Sequence, residues 1–254
     1  MSGAWDRPVQ RAVRLLLGLA LFGVAMAVLV EADLGLDPWN VFNQGVAGRV
    51  GLSLGTVTVI ASIVLMALWI PLGERPGVGT VANALLVGPA LDFGLAVVPA
   101  ASGAPAQVAY MLAAILAMAV ATGLYVGAGW GPGPRDGLMT GLAAKGVPIA
   151  RARAGIELTA LGVGWLLGGS VGIATVLFAT SIGPLVKHAL RLLSLPARSG
   201  EPLEGADHQI PKTRGVELEG HAGVGLPVEA AEQVDHGGPA RPAALRLDGD
   251  ECLL

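Results

Sequence analysis

A motif that occurs twice constrains the fold of this chain more than any other feature of its sequence. Residues 35–45 read GLDPWNVFNQG, and residues 131–141, ninety-six positions later, read GPGPRDGLMTG. The matched structural positions are Gly35 with Gly131, Pro38 with Pro134, and Gly45 with Gly141; Asn40 matches Asp136. At an offset of ninety-five, Gly77, Thr80, Gly88 and Pro89 match Gly172, Thr175, Gly183 and Pro184. Self-similarity at so long a period, with apolar segments in between, predicts a duplicated membrane domain.

The composition supports a membrane protein. The chain is 53% hydrophobic and only 14% charged, which is too apolar for an ordinary soluble domain. A helix needs about 20 apolar residues to cross a hydrocarbon core of roughly 30 Å. Six segments qualify as transmembrane helices: 13–31, 54–72, 79–99, 106–128, 153–170 and 172–194.

Two further segments, 38–49 and 134–145, follow the first and fourth crossings. As helices, each would reach only about 18 Å at 1.5 Å per residue, so neither can span. Both begin with proline after glycines, which favours the first turn of a new helix. We therefore expect one short, non-spanning helix in each half.

The basic residues predict the orientation. With six crossings, all but one of the basic residues near the helix ends share a side, and Arg49 alone lies opposite. By the positive-inside rule both termini are cytoplasmic. Because each half has three crossings, the two halves form a 3+3 inverted repeat.

The domain boundaries follow. Residues 1–12 form a cytoplasmic N-terminus, 13–99 and 106–195 form the two repeats, and 196–254 form a tail. That tail holds 5 basic and 11 acidic residues and no sustained apolar period, so we predict a disordered acidic cytoplasmic segment. The single cysteine, Cys252, excludes an intramolecular disulfide.

Three stretches carry a family resemblance: LGLDPWNVFNQG at 34–45, RPGVGTVANALLVGPALD at 75–92 and GLYVGAGWGPGPRDGLMTGL at 123–142. With them the chain resembles the YczE/YitT-like bacterial integral membrane proteins, a group without a settled molecular function, over nearly all of residues 10–195. The resemblance implies a multi-pass protein of the bacterial cytoplasmic membrane and gives no substrate. The chain departs from the family pattern at Asn40, where an aspartate is expected.

Several residues are candidates for substrate binding. Arg135 and Asp136 begin the second short helix, whose N-terminal amides would attract an anion. The alternative is that Asp136 caps its helix and Arg135 contacts headgroups. In the first short helix Trp39, Phe42 and Val46 share an apolar face. Asn40, Asn43 and Gln44 form a polar face that Thr140 partly repeats, and these polar groups either line a solute path or decorate the interface.

Two groups of carboxylates need separate interpretations. Asp92 lies past the middle of a membrane helix, where a lone carboxylate should be protonated, paired or facing water, so we consider a role in proton or cation coupling. Asp33 and Asp37 follow Glu31 at the end of the first crossing, and we interpret this acidic stretch as a solvated rim.

The leading functional hypothesis is a small secondary transporter or permease for a small solute or ion. The sequence contains no recognisable catalytic set or metal-ligand cluster, so we predict no enzyme, cofactor or metal. The alternative hypothesis is a non-transporting membrane scaffold or accessory factor. The expected partner is the lipid bilayer, with no nucleic acid, and a homo-oligomer is left open.

Overall fold

A computed structural model describes residues 7–195 of the chain, and within that range all regular secondary structure is helical. Eight α-helices follow one another: α1 (Pro8–Glu31), α2 (Pro38–Val50), α3 (Leu54–Trp69), α4 (Val78–Val97), α5 (Ala104–Gly127), α6 (Pro134–Ala144), α7 (Ile149–Leu166) and α8 (Ile173–Leu193). A 3₁₀ turn, Ile70–Leu72, extends α3. The predicted acidic tail lies outside the described residues.

The prediction of an all-helical membrane protein is confirmed. Within residues 7–195, five helices are long and apolar enough to cross a membrane: α1, α3 with its 3₁₀ turn, α4, α5 and α8. The remaining predicted crossing, 153–170, corresponds to α7, which has 18 residues and carries Arg151, Arg153 and Glu157, so it is not among the five. The first helix begins at Pro8, because proline suits a first helical turn, and it therefore includes part of the predicted N-terminal segment.

The repeat partners α1 and α5 lie side by side in the core and run in opposite directions. Near the start of α1, a guanidinium N–H of Arg11 donates to the carbonyl of Ala128, just beyond α5, at 2.7 Å. At the other end, the N–H of Ala101 donates to the carbonyl of Glu31 at 3.0 Å. Between them, Gly18 lies against the backbone of α5, and a Cβ there would lie 2.8 Å from the backbone nitrogen of Tyr125. Small residues permit this close approach of two helices.

The remaining long helices complete the core. α4 packs on α1, and α8 packs on α5. Each carries one internal proline, Pro89 in α4 and Pro184 in α8, at matched positions of the repeat. Leu19, Leu91 and Met118 are almost fully buried where these helices meet, so an apolar core extends through both halves.

Matched contacts join the two halves through the connections that precede the short helices. The carbonyl of Leu34 accepts the N–H of Ala174 at 2.9 Å, and the carbonyl of Trp130 accepts the N–H of Gly79 at 2.8 Å. The next residues are glycines with positive φ. Gly35 has φ +101° and lies on Gly172, while Gly131 has φ +122° and lies near Gly77 and Thr80. A side chain at either glycine would be strained and would meet the opposite half.

The short helices begin as the sequence predicts. Asp37 precedes α2, and its carboxylate accepts the backbone N–H of Asn40 at 3.4 Å, with Pro38 in the first turn. Gly133 and Pro134 occupy the same two positions at the start of α6. α2 then packs against α7, and α6 packs against α3. Each short helix therefore rests on a long helix of the other half.

Candidate functional site

The N-termini of the two short helices face each other across an ion pair. The Nη1 atom of Arg135, in the first turn of α6, lies 3.8 Å from Oδ2 of Asp37, which caps α2. The side chain of Asp37 is 1% exposed and that of Arg135 is 26% exposed. The guanidinium also lies 5.5 Å from the ring centroid of Phe22 in α1, within range of a cation–π interaction. One arginine thus contacts two parts of the first half, α1 and the residue that caps α2.

The prediction of a solvated acidic rim is wrong for Asp37. Asp33 is exposed, but Asp37 is buried, because the chain turns inward after Gly35 to begin α2. Its carboxylate accepts a second hydrogen bond from the side-chain amide of Asn40. Asp37 lies in the connection between α1 and α2, outside the five candidate spans. Burial raises the pKa of this carboxyl, and the charge of Arg135 opposes the rise.

A small cavity with both polar and apolar residues in its lining lies beside the ion pair, and we call it the polar cavity. Its volume is about 50 Å³, and Arg135 forms part of its wall. It is bounded by residues from the first six helices or the turns before them. The other polar groups in its lining are Asn43, Thr58, Ser62, Asn83 and Tyr125. A water needs roughly 10–15 Å³, so the volume suits a few waters or a small charged group.

Two unpartnered polar atoms belong to residues that line this cavity. Nε1 of Trp39 and Oδ1 of Asn43 are buried and have no hydrogen-bond partner among residues 7–195. The amide nitrogen of Asn43 is satisfied, since it donates to the hydroxyl of Thr58 at 3.1 Å. Leaving a buried donor or acceptor unpaired costs about 1–3 kcal/mol. The cavity lining therefore includes one residue with an unpaired donor and one with an unpaired acceptor, besides the arginine.

The predicted polar face of α2 does not act as one surface. Asn40 points to Asp37, and only Asn43 lines the cavity. The side-chain carbonyl of Gln44 accepts the backbone N–H of Ser170, after α7, at 2.7 Å. The three side chains therefore point to different parts of the structure, and those of Asn40 and Gln44 make hydrogen bonds within the fold.

The predicted apolar face of α2 lines a second, much larger space. Trp39 and Phe42 pack edge to face with ring centroids 6.3 Å apart. Both line an apolar groove of about 620 Å³ that is bounded by α2, α3, α6 and α7. We call it the apolar groove, and it is distinct from the polar cavity although the two share part of their walls.

Asp136 and Thr140 do not reach the polar cavity. Asp136 lies in the first turn of α6 beside Gly133 and the hydroxyl of Tyr125. Thr140 is exposed, and its hydroxyl donates to the carbonyl of Gly137 at 3.0 Å. Of the charged pair predicted from the sequence, the structure brings only Arg135 to the cavity.

Asp92 contacts the start of α3. Its carboxylate accepts the hydroxyl hydrogen of Ser53 at 2.6 Å and the backbone N–H of Gly55 at 2.8 Å. It is only partly buried and lines neither the cavity nor the groove. These contacts are those of a residue that caps a helix. Its coupling role stays a prediction.

Four polar residues of the cavity lining have no place in the sequence motif at 35–45 or its copy at 131–141. Thr58 and Ser62 lie on α3, Asn83 on α4 and Tyr125 on α5. The available signal is a neutral polar residue within an apolar helix, which is weaker than that of an ionisable residue at the same depth. Among residues 7–195, no three metal-ligating side chains lie close enough to hold a metal ion.

Comparisons with known proteins place the chain among uncharacterised membrane proteins. Residues 9–191 match the model of a family of unknown function (DUF6198). An uncharacterized protein of Haemophilus influenzae is 32% identical over 194 residues, covering 76% of this chain and 89% of that protein. The uncharacterized membrane protein YczE of Bacillus subtilis is 31% identical over 172 residues, covering 66% of this chain and 79% of that protein. No solved structure matches.

Proposed function

Because the chain belongs to the family of unknown function DUF6198, among the YczE-like multi-pass membrane proteins, its role has to be inferred from its own site, and we propose a small secondary transporter or permease for a small solute or ion. The observation that carries the proposal is the polar cavity between the two halves, with Arg135 in its wall. No catalytic step is part of this proposal.

The proposal includes a 3+3 inverted repeat in which α7 is the sixth crossing. The antiparallel packing of α1 and α5 supports it, and so do the paired hydrogen bonds Leu34–Ala174 and Trp130–Gly79. With α7 crossing, both termini lie in the cytoplasm. Transporters built from inverted repeats commonly bind their substrate between the repeats, where broken helices present their N-termini.

The contacts of Arg135 support a binding role. At 3.8 Å from Asp37 the guanidinium is beyond hydrogen-bond distance, so its N–H donors can turn to a ligand while the charge stays partly compensated. A solute that accepts hydrogen bonds would also meet the indole N–H of Trp39.

Access to the cavity from both sides tests the proposal. In a Cys252→Ser background, Ser62→Cys places a thiol in the cavity wall at minimal change of volume. We expect a small, membrane-impermeant thiol reagent to label it in both right-side-out and inside-out vesicles, because a transporter opens its site alternately. Ser181→Cys is the matched control, since Ser181 is equally half-buried but lines neither the polar cavity nor the apolar groove. We expect it to stay unlabelled from both sides.

Absence of labelling at Ser62→Cys from either side would contradict transport. That outcome would favour the alternative, a non-transporting scaffold. Labelling of Ser62→Cys from one side only would also contradict alternating access, because a transport site must open to both compartments.

A further inference from the structure

The apolar groove and the polar cavity adjoin each other. Trp39, Ala61 and Leu65 line both spaces. The groove has a volume of about 620 Å³, within the usual range of roughly 300–1,000 Å³ for sites that bind small molecules. A ligand that occupied both spaces would therefore have an apolar part several times larger than its polar part.

The groove is apolar along most of its length, and Arg151 of α7 is the one charged residue in its lining. Each of its four helices contributes aliphatic or aromatic side chains, such as Phe42 of α2, Val64 of α3, Leu142 of α6 and Ile156 of α7. Such a lining excludes a wholly polar solute and suits an alkyl chain, whose burial gains about 0.8 kcal/mol per methylene.

The polar end sets the chemistry of the head. Arg135 supplies guanidinium N–H donors and a positive charge that Asp37 and Asp136 partly compensate. Trp39, whose indole N–H has no partner, lines the same cavity, so the head should accept hydrogen bonds. At about 50 Å³ the cavity holds a group the size of a carboxylate, and it is too small for a phospholipid headgroup with its glycerol. The unpartnered carbonyl of Asn43 suits a bound water or a head that retains a proton.

We propose that the cavity and the groove form one site for a single-chain carboxylate amphiphile, with the carboxylate at Arg135 and the alkyl chain along α2, α3, α6 and α7. This inference rests on the proposed function, because it names the substrate class of the same site. It also gives the apolar face of α2 a direct role in binding the chain.

A photoreactive palmitate with a diazirine in its chain tests the site in the purified full chain. We expect crosslinks on α2 and α7 that excess unlabelled palmitate abolishes. Gly155→Leu should suppress the crosslinks, because Gly155 lines the groove and a Cβ there meets nothing within 4 Å. Gly162→Leu is the matched control, since it lies on the same helix with equally open space but outside the groove.

The head is tested by Arg135→Gln. Loss of a charged hydrogen-bond partner should weaken palmitate binding by roughly 10–100-fold, while binding of the alcohol with the same chain should hardly change. Equal crosslinking in both glycine variants, or crosslinking that palmitate does not displace, would identify ordinary annular lipid and overturn the proposal.

The same preparation separates this inference from the proposed function. If Ser62→Cys is labelled from both sides but unlabelled palmitate does not displace the photoreactive palmitate, the amphiphile is the wrong substrate and transport stands. If palmitate binds competitively but Ser62→Cys is labelled from neither side, the amphiphile is a structural lipid, and both proposals fail. Competitive binding together with labelling from both sides supports both.

Discussion

At the scale of single residues, the ion pair of Arg135 and Asp37 matters most, both for stability and for the proposed site. Asp37 is 1% exposed, so its charge depends on the compensation that Arg135 and the amide of Asn40 provide. Arg135 keeps a quarter of its side chain exposed and contacts the cavity. The same side chain thus stabilises the fold and presents charge to a ligand.

We predict that Arg135→Gln lowers the free energy of unfolding by roughly 1–3 kcal/mol, because it leaves a buried carboxylate without its counter-charge. This loss is smaller than the usual cost of breaking a buried ion pair, since Nη1 of Arg135 and Oδ2 of Asp37 are 3.8 Å apart and Arg135 is partly exposed. Asp37→Asn keeps an oxygen to cap α2 and should restore most of the loss in the double variant. Chemical denaturation of the purified chain, followed by circular dichroism, measures all three.

The control for this cycle is Arg153→Gln. Arg153 pairs with Glu157 at 3.1 Å on one face of α7, and its side chain is 50% exposed. Such surface pairs contribute about 0.3–0.5 kcal/mol. Strictly additive effects of Arg135→Gln and Asp37→Asn would show that the two charges do not interact.

Arg135 can be identified as a candidate from the sequence, but the burial of Asp37 cannot, for a physical reason. Asp37 follows other acidic residues at the end of a crossing, and its local pattern is that of an exposed loop. Its burial depends on Arg135, which lies ninety-eight positions later, and no local pattern reports that contact. Tyr125 and Asn83 were missed for the same reason, because each becomes part of a site only where α4, α5 and α6 meet.

At the scale of elements, the connections before α2 and α6 matter most. Each connection places a glycine with positive φ against the N-terminus of a long helix in the other half. Because neither the backbone conformation nor the space admits a side chain, these glycines fix where each short helix starts.

We therefore predict that Gly35→Ala and Gly131→Ala lower the free energy of unfolding by similar amounts. A Cβ would lie 2.4 Å from the backbone nitrogen of Gly172 in the first case and 2.7 Å from the hydroxyl of Thr80 in the second. Gly51→Ala separates strain from crowding, because Gly51 has φ +71° but nothing within 4 Å. The two motif variants should cost at least about 1 kcal/mol more than this control. An equal loss in all three would mean that close contact plays no part.

The helices themselves could be predicted from the sequence, since their signals are local. Pro38 and Pro134 mark the first turns of α2 and α6, and apolar runs mark the long helices. The pairing of α2 with α7 and of α6 with α3 could not, because it depends on which surfaces remain free once α1 and α5 have packed together.

At the scale of the whole molecule, the proposed inverted repeat can be tested without knowing the substrate. Arg49, at the end of α2, and Lys145, just after α6, are repeat partners and are both exposed. In a Cys252→Ser background, Arg49→Cys should react with an impermeant reagent from outside the cell, and Lys145→Cys from the cytoplasm. Reaction of both from the same side would contradict the sixth crossing and the inversion.

The orientation of the halves depends on α7. The other five predicted crossings meet the length and composition of a span, but Arg151, Arg153 and Glu157 lie in the first half of α7. The long side chains of arginines near a helix end can extend to the interface, which allows such a helix to cross. The count of crossings therefore follows from where these charges lie along the bilayer normal, which the sequence alone does not give.

The packing of α2 on α7 also delays the completion of folding during biosynthesis. α2 ends at Val50, and its surface for packing is complete only when Leu166 has been added. At about 5–20 residues per second, translation of the intervening chain takes roughly 6–23 seconds. During that interval Trp39 and Phe42 lack their final neighbours on α7, and the nascent protein is open to the insertion machinery and to quality-control proteases. The native state of the first half is therefore reached only after most of the second half has been made.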